Sequence, residues 1–172
     1  MSRIDALSIE QAPASTQQPL QGIEKAMGFL PNVFKTLARS PASLNGYLQL
    51  SQSLMKGELK RAEREIIALA VARVNECEYC LAAHVLYAQK AGLSAEAIQA
   101  ARNGEGSVIA TFAHKVAKQR GKLSDADFNA AREAGLPDSK IIEIVVNVAH
   151  LTFTNYVNNV AETDVDFPPV AV

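Results

Sequence analysis

The chain has no tryptophan, only two cysteines and 6% aromatic residues among its 172, and its charges nearly cancel, with 17 Lys+Arg against 18 Asp+Glu. Each scarcity excludes something. Two cysteines are too few for the disulfide framework of a small secreted domain. A net charge of −1 supplies no electrostatic footprint for a nucleic-acid backbone. No basic run, phosphate-binding loop or dinucleotide fingerprint occurs. No apolar run is long enough to span a bilayer, and the polar start Met1-Ser-Arg-Ile-Asp5 lacks a secretory pattern. The expectation is a soluble, cytoplasmic protein with neither nucleic acid nor membrane as a partner.

Against these absences stand 48% apolar residues. A chain of this length buries roughly 70% of its unfolded surface, which suits one domain. Residues 1–18, rich in Ser, Gln, Pro and Ala, read as a loosely ordered arm, with a helical domain over 19–172. Helices are expected from Leu20 to Met27 before Gly28, from Asn32 to Ala38 behind Pro31, and from Pro41 to about Lys56. Lys60 to Val74 turns apolar on every side from Ile66 to Ala72, the mark of a helix buried all round, and is expected at the centre. Asn75, with Glu78 three residues on, resembles a capping box opening the next helix. Ala91-Gly92 ends it, and Ser94 caps a short helix to Arg102. Three more follow, from Val108 towards Gly121, from Ser124 to Gly135, and from Asp138 to Ala161. No alternating apolar run flanks either Asn-Gly pair, so hairpins are absent and the fold class is all-α.

The segment Asn75-Glu-Cys-Glu-Tyr-Cys-Leu-Ala-Ala-His84 carries the chemistry. At about 100° per residue, Cys77, Cys80 and His84 share one narrow helical face, and positions three apart bring Cα atoms within the span a disulfide tolerates. A helix N-terminus and an imidazolium both favour a thiolate, while Glu76 and Glu78 oppose one at Cys77. Proximity to the helix start selects Cys77 and proximity to His84 selects Cys80, and the sequence leaves that choice open. Three plainer readings compete. Cys77, Cys80 and His84, joined by His114 or His150, would be a zinc set, but no second CxxC exists and the spacing suits a tetrahedron poorly. The cysteines alone would serve as small buried hydrophobes, and His84 alone as a core histidine. Glu65 is either part of a solvated helix start or a carboxylate drawn inward to take a proton from His84.

Glu65, Cys77, Cys80 and His84 together match the E-x(11)-C-x-x-C-x(3)-H signature, and the chain resembles the alkylhydroperoxidase D-like proteins of the carboxymuconolactone decarboxylase family. Gly28-Phe-Leu-Pro-Asn-Val-Phe34, Ser40-Pro41 and Thr163-Asp-Val-Asp-Phe-Pro168 resemble its peroxidase-related branch. The resemblance implies a single-domain, oligomeric helical fold, as a trimer or hexamer, and an antioxidant thiol peroxidase acting on hydrogen peroxide or small organic hydroperoxides. In that scheme Cys80 is peroxidatic, Cys77 resolving, and His84 passes a proton to Glu65. A Cys77–Cys80 disulfide forms and a dihydrolipoamide-type dithiol reopens it. No cofactor or metal is implied beyond that disulfide. Familiar members carry a histidine where this chain has Tyr79, a phenol that lines the site as a candidate but is a poor base. This departure motivates an alternative, a thiol–disulfide oxidoreductase or redox sensor using the same pair without peroxidase turnover. His114 receives no role; the resemblance puts the last helix, with His150, Asn155, Asn158 and Asn159, near the site or at a subunit contact, and polar residues at an oligomer seam are the preferred reading.

Overall fold

The computed structural model describes residues 2–169, and every regular element among them is an α-helix. In chain order they are α1 (Ala14–Met27), α2 (Asn32–Leu37), α3 (Pro41–Leu54), α4 (Arg61–Val74), α5 (Glu78–Lys90), α6 (Ala95–Arg102), α7 (Val108–Lys118), α8 (Asp125–Glu133) and α9 (Asp138–Ala161). The starts of α3, α6, α7 and α8 are set locally. Ser40, Ser94, Ser107 and Ser124 each accept a hydrogen bond from the amide three residues on, which satisfies a donor the helix leaves free. Gly28 closes α1 at φ 80°, a conformation open to glycine at little cost.

Helix α4 sits at the centre, as its sequence demands. Ile67 to Ala72 are all buried, and α4 packs against α5, α6, α7 and α9. Its apolar positions feed three separate clusters. Ala72 joins the group around α1, α2 and α5. Ile67, Ala68, Ala70 and Val71 pack with α7 and α9, and Leu69 meets Ala88, Ile98 and Ala101. Among the described residues no helix is long and apolar enough to cross a membrane.

Two boundaries differ from expectation. Helix α1 begins at Ala14, not Leu20, and runs through Pro19. An interior proline costs about 3 kcal/mol; here Thr16 and Leu20 are wholly buried, and the Thr16 hydroxyl donates to the Pro13 carbonyl at 2.8 Å. The segment before it is also tied down, in place of the loose arm read from composition. The amide of Arg3 donates to the Ala161 carbonyl at 2.8 Å, Arg39 Nε donates to the Asp5 carbonyl at 2.8 Å, and Leu7 and Ile9 pack on the core.

The second difference lies at the cysteines. Asn75 does not cap α5; it closes α4. Glu76 then takes a left-handed conformation (φ 51°), and the amides of Glu76 and Cys77 donate back to the carbonyls of Arg73 and Ala72 at 3.3 and 2.9 Å. This is a Schellman cap with glutamate where glycine is usual. The chain turns directly into α5 with Cys77 as N-cap, its sulfur accepting from the Cys80 amide at 3.3 Å.

Candidate functional site

The turn carrying Cys77 is pinned to α9. Asn75 Nδ2 donates to Asn155 Oδ1 at 2.9 Å, and the Asn75 carbonyl accepts from Asn159 Nδ2 at 2.8 Å. With the turn held, the two sulfurs lie 2.7 Å apart as a dithiol, both buried. Cys80, in the first turn of α5, points into a cavity of about 70 Å³ walled by Phe34, Tyr47, His84, Tyr87, Asn158 and Phe167. That volume admits a few water-sized molecules.

Glu65 is the inward carboxylate. From α4 its Oε2 meets His84 Nδ1 at 2.8 Å, with the two side chains only 14% and 20% exposed. Burial disfavours the imidazolium, but the hydrogen bond and charge of Glu65, helped by Cys80, raise the His84 pKa above its usual value. Because Nδ1 is engaged, Nε2 is the nitrogen left to exchange protons with the cavity.

The sulfurs are unequal. The Cys80 thiol is lowered to about 7: the hydrogen bond from the Cys77 thiol and the charge of His84 outweigh burial, with Asn158 and Asn155 assisting. Cys77 is pushed up, because its proton is shared towards Cys80 and because it is buried. Of the two sulfurs, the electrostatics favour Cys80 as the thiolate. Proximity to the helix start, which favoured Cys77, is outweighed by groups that converge on the other sulfur.

Tyr79 lines the same cavity, but its hydroxyl is committed to α2 and the segment after α9. Its hydroxyl accepts from the Val33 amide at 3.1 Å and donates to Asp166 Oδ1 at 2.8 Å. Asp166 Oδ2 in turn accepts from the Asn32 amide at 2.8 Å, and Asn32 Nδ2 donates to the Asp164 carbonyl at 3.0 Å. Burial and the Asp166 carboxylate raise the Tyr79 pKa, so it stays a phenol. Its role is to clasp α2, α5 and the segment after α9 together. That segment delivers Phe167, whose ring meets those of Phe29, Tyr79 and Tyr87 at 5.5, 5.4 and 5.8 Å and closes one side of the cavity. The upstream and terminal stretches noted in the sequence thus meet at one hydrogen-bonded knot.

His150, Asn155 and Asn158 are not at a seam but buried inside the chain. His150 stacks on Tyr47 with ring centroids 4.3 Å apart, and burial lowers its pKa. Asn158 Nδ2 donates to Cys80 Sγ at 3.3 Å. Asn155 and Asn158 had a signal in the sequence, since both fall in phase with the buried positions Ile144, Val148 and Leu151. His114 lies on α7, away from this cavity. Among the described residues no three His, Cys, Asp or Glu side chains group as a metal site.

Residues 41–119 match the model of the carboxymuconolactone decarboxylase family. The alkylhydroperoxidase AhpD core structure of a peroxidase-related protein from Ralstonia eutropha JMP134 superposes with a TM-score of 0.84 at 26% identity, over 96% of this chain and 92% of its own. A peroxidase-related protein from Silicibacter sp. TM1040 gives 0.79 at 25% identity, over 98% and 93%. The debrominase Bmp8, as a cysteine-to-alanine variant in complex with 2,3,4-tribromopyrrole, gives 0.79 at 18% identity over 95% and 91%, a likeness of fold alone. Among curated protein sequences nothing matches the chain.

Proposed function

The chain is an alkylhydroperoxidase D-like protein of the carboxymuconolactone decarboxylase family, and within that family we propose that it is a thiol peroxidase reducing hydrogen peroxide or small organic hydroperoxides. The observation that carries this reading is a pair of free, buried sulfurs 2.7 Å apart, with Cys80 facing the cavity beside the Glu65–His84 pair. Cys80 gives its proton to His84, which Glu65 holds as an imidazolium. The thiolate attacks the terminal oxygen of the peroxide: an S–O bond forms and the O–O bond breaks. The departing alkoxide or hydroxide takes the proton from His84, leaving a Cys80 sulfenic acid and an alcohol or water. Cys77 loses its proton, attacks the Cys80 sulfur and expels hydroxide, which leaves as water. The resulting disulfide returns to the dithiol by exchange with a dithiol reductant of the dihydrolipoamide type. The small cavity favours small peroxides.

The deciding experiment is intact-mass measurement of the reduced chain after one equivalent of peroxide. A loss of two hydrogens in the native chain is expected, with a single trappable sulfenic acid in Cys77→Ser and no oxidation in Cys80→Ser. Rapid oxidation by a small disulfide with none by peroxide would overturn the peroxidase reading in favour of thiol–disulfide exchange.

The chain also self-associates in this proposal, by trimers or a hexamer. Ile142, Val145, Phe153, Tyr156 and Val160 leave an exposed apolar stripe along α9, a surface that monomers rarely keep. Light scattering of native protein and of Val160→Lys tests it: a monomeric native chain refutes self-association.

A further inference from the structure

Asn158 holds more than the sulfur. It is 3% exposed, its Nδ2 donates to Cys80 Sγ, and it lines the cavity that Cys80 faces. Its other polar atom, Oδ1, is buried with no hydrogen-bond partner among the described residues. A buried carbonyl without a donor is unfavourable, so its persistence beside a reactive sulfur calls for a reason. One turn earlier Asn155 is fully buried, its Oδ1 taken by Asn75 and its side chain assisting Cys80. Asn158 thus brings to the wall of this cavity a carbonyl that no donor among the described residues occupies.

Resting on the peroxidase reading above, we propose that Asn158 clamps nucleophile and substrate together: Nδ2 donates to the Cys80 thiolate while Oδ1 accepts the O–H of the hydroperoxide. Amide oxygen and nitrogen leave the same carbon, so a peroxide oxygen bonded to Oδ1 lies beside the sulfur that Nδ2 holds. The oxygen so held is the terminal one, which is the one attacked. As the S–O bond forms and the O–O bond breaks, the hydrogen accepted by Oδ1 stays on that oxygen and becomes the sulfenic acid proton. The alkoxide leaves on the far side and is protonated by His84. The arrangement selects for peroxides that carry an O–H. A disulfide, having no such hydrogen, gains nothing from Oδ1.

The other ionisable groups around Cys80 are Cys77 at the N-cap of α5, His84 and Tyr87 on α5, Glu65 on α4, Tyr47 on α3 and His150 on α9, and all are retained in the variants. The test uses the full reduced chain as native protein, Asn158→Leu and Asn158→Asp. Oxidation rates are read against pH with tert-butyl hydroperoxide and with cystamine, and alkylation against pH gives the thiol pKa. Asn158→Leu should raise the thiol pKa by about one unit and lower the plateau rate with hydroperoxide roughly tenfold, as losing a charge-assisted hydrogen bond at the sulfur and a neutral one at the peroxide implies. The plateau rate with cystamine should change less than about twofold on the same grounds. Asn158→Asp, which keeps acceptors but brings negative charge to the thiolate, should raise the thiol pKa further than Leu does. An unaltered hydroperoxide-to-cystamine ratio at the plateau in Asn158→Leu overturns the clamp. Should Leu fail to fold, Asn158→Ser is read in the same way. A native chain oxidised by cystamine but inert to hydroperoxide overturns the peroxidase reading itself, an outcome distinct from loss of the ratio alone.

Discussion

Replacing Glu65 by glutamine removes a charge and keeps the shape. In the native chain Glu65 stands 2.8 Å from His84 Nδ1 and sustains the imidazolium against burial. Without that charge burial is left to lower the imidazole's pKa, and Cys80 loses much of the cation that helps hold it at about 7. The hydrogen bonds from Cys77 and Asn158 remain while burial opposes them, which leaves the ordinary thiol value of about 8.5 as the reference. A thiol at about 7 is half ionised at pH 7, whereas one at 8.5 is ionised to roughly 3%. Thiolate-dependent reaction at pH 7 should fall about fifteenfold and recover as the pH rises past 8.5. The sign follows from the shift. Since the native pKa lies below the ordinary value, the native rate climbs between about pH 6 and 8 and then levels, and the variant climbs later. Alkylation by a small neutral haloacetamide, followed by mass spectrometry at Cys80 over pH 5 to 10, measures both curves. Coincident curves for native and Glu65→Gln protein would refute the electrostatic link from α4 through His84 to the sulfur.

Tyr79→Phe deletes a hydroxyl that serves the Val33 amide and Asp166. It should cost about 1–3 kcal/mol in chemical denaturation, and an unchanged midpoint would show that the knot is decorative. Glu76→Gly relieves a left-handed residue (φ 51°) and should stabilise the chain by up to about 1 kcal/mol, read from the same denaturation curves. In an NMR titration His84 should protonate above the ordinary imidazole value and His150 below it, in line with the Glu65 pairing of one and the burial of the other. The reverse order would contradict both assignments.

The sequence made some features legible and hid others for physical reasons. Ser40, Ser94 and Ser124 announce helix starts because capping is a contact across three residues. The centrality of α4 is equally plain, since six consecutive buried positions, Ile67 to Ala72, allow no solvent face. The start of α1 was hidden because tertiary burial of Thr16 and Leu20 outweighs the local signal of Pro19. At the cysteines, Asn75-x-x-Glu78 imitates a capping box, and nothing in the side chain of Glu76 declares the left-handed turn that moves the cap to Cys77. In the site, Glu65 and His84 stood close enough in sequence, 19 residues apart, to be weighed together. Asn158 and Asp166 did not: they reach Cys80 and Tyr79 across 78 and 87 residues, separations at which periodicity says nothing about contact.

The carboxylate of Asp166 is bound at once to the first amide of α2 and to the hydroxyl of Tyr79, next door to the reactive sulfur. One small group thus makes a helix start and a wall of the chamber cooperative. Warming or mild denaturant that frees this joint should unroof Cys80 before the interior around α4 opens. Labelling of that sulfur by reagents too bulky for the closed chamber should then rise before any spectroscopic signal of global melting, and simultaneous onset would show that the joint does not open on its own.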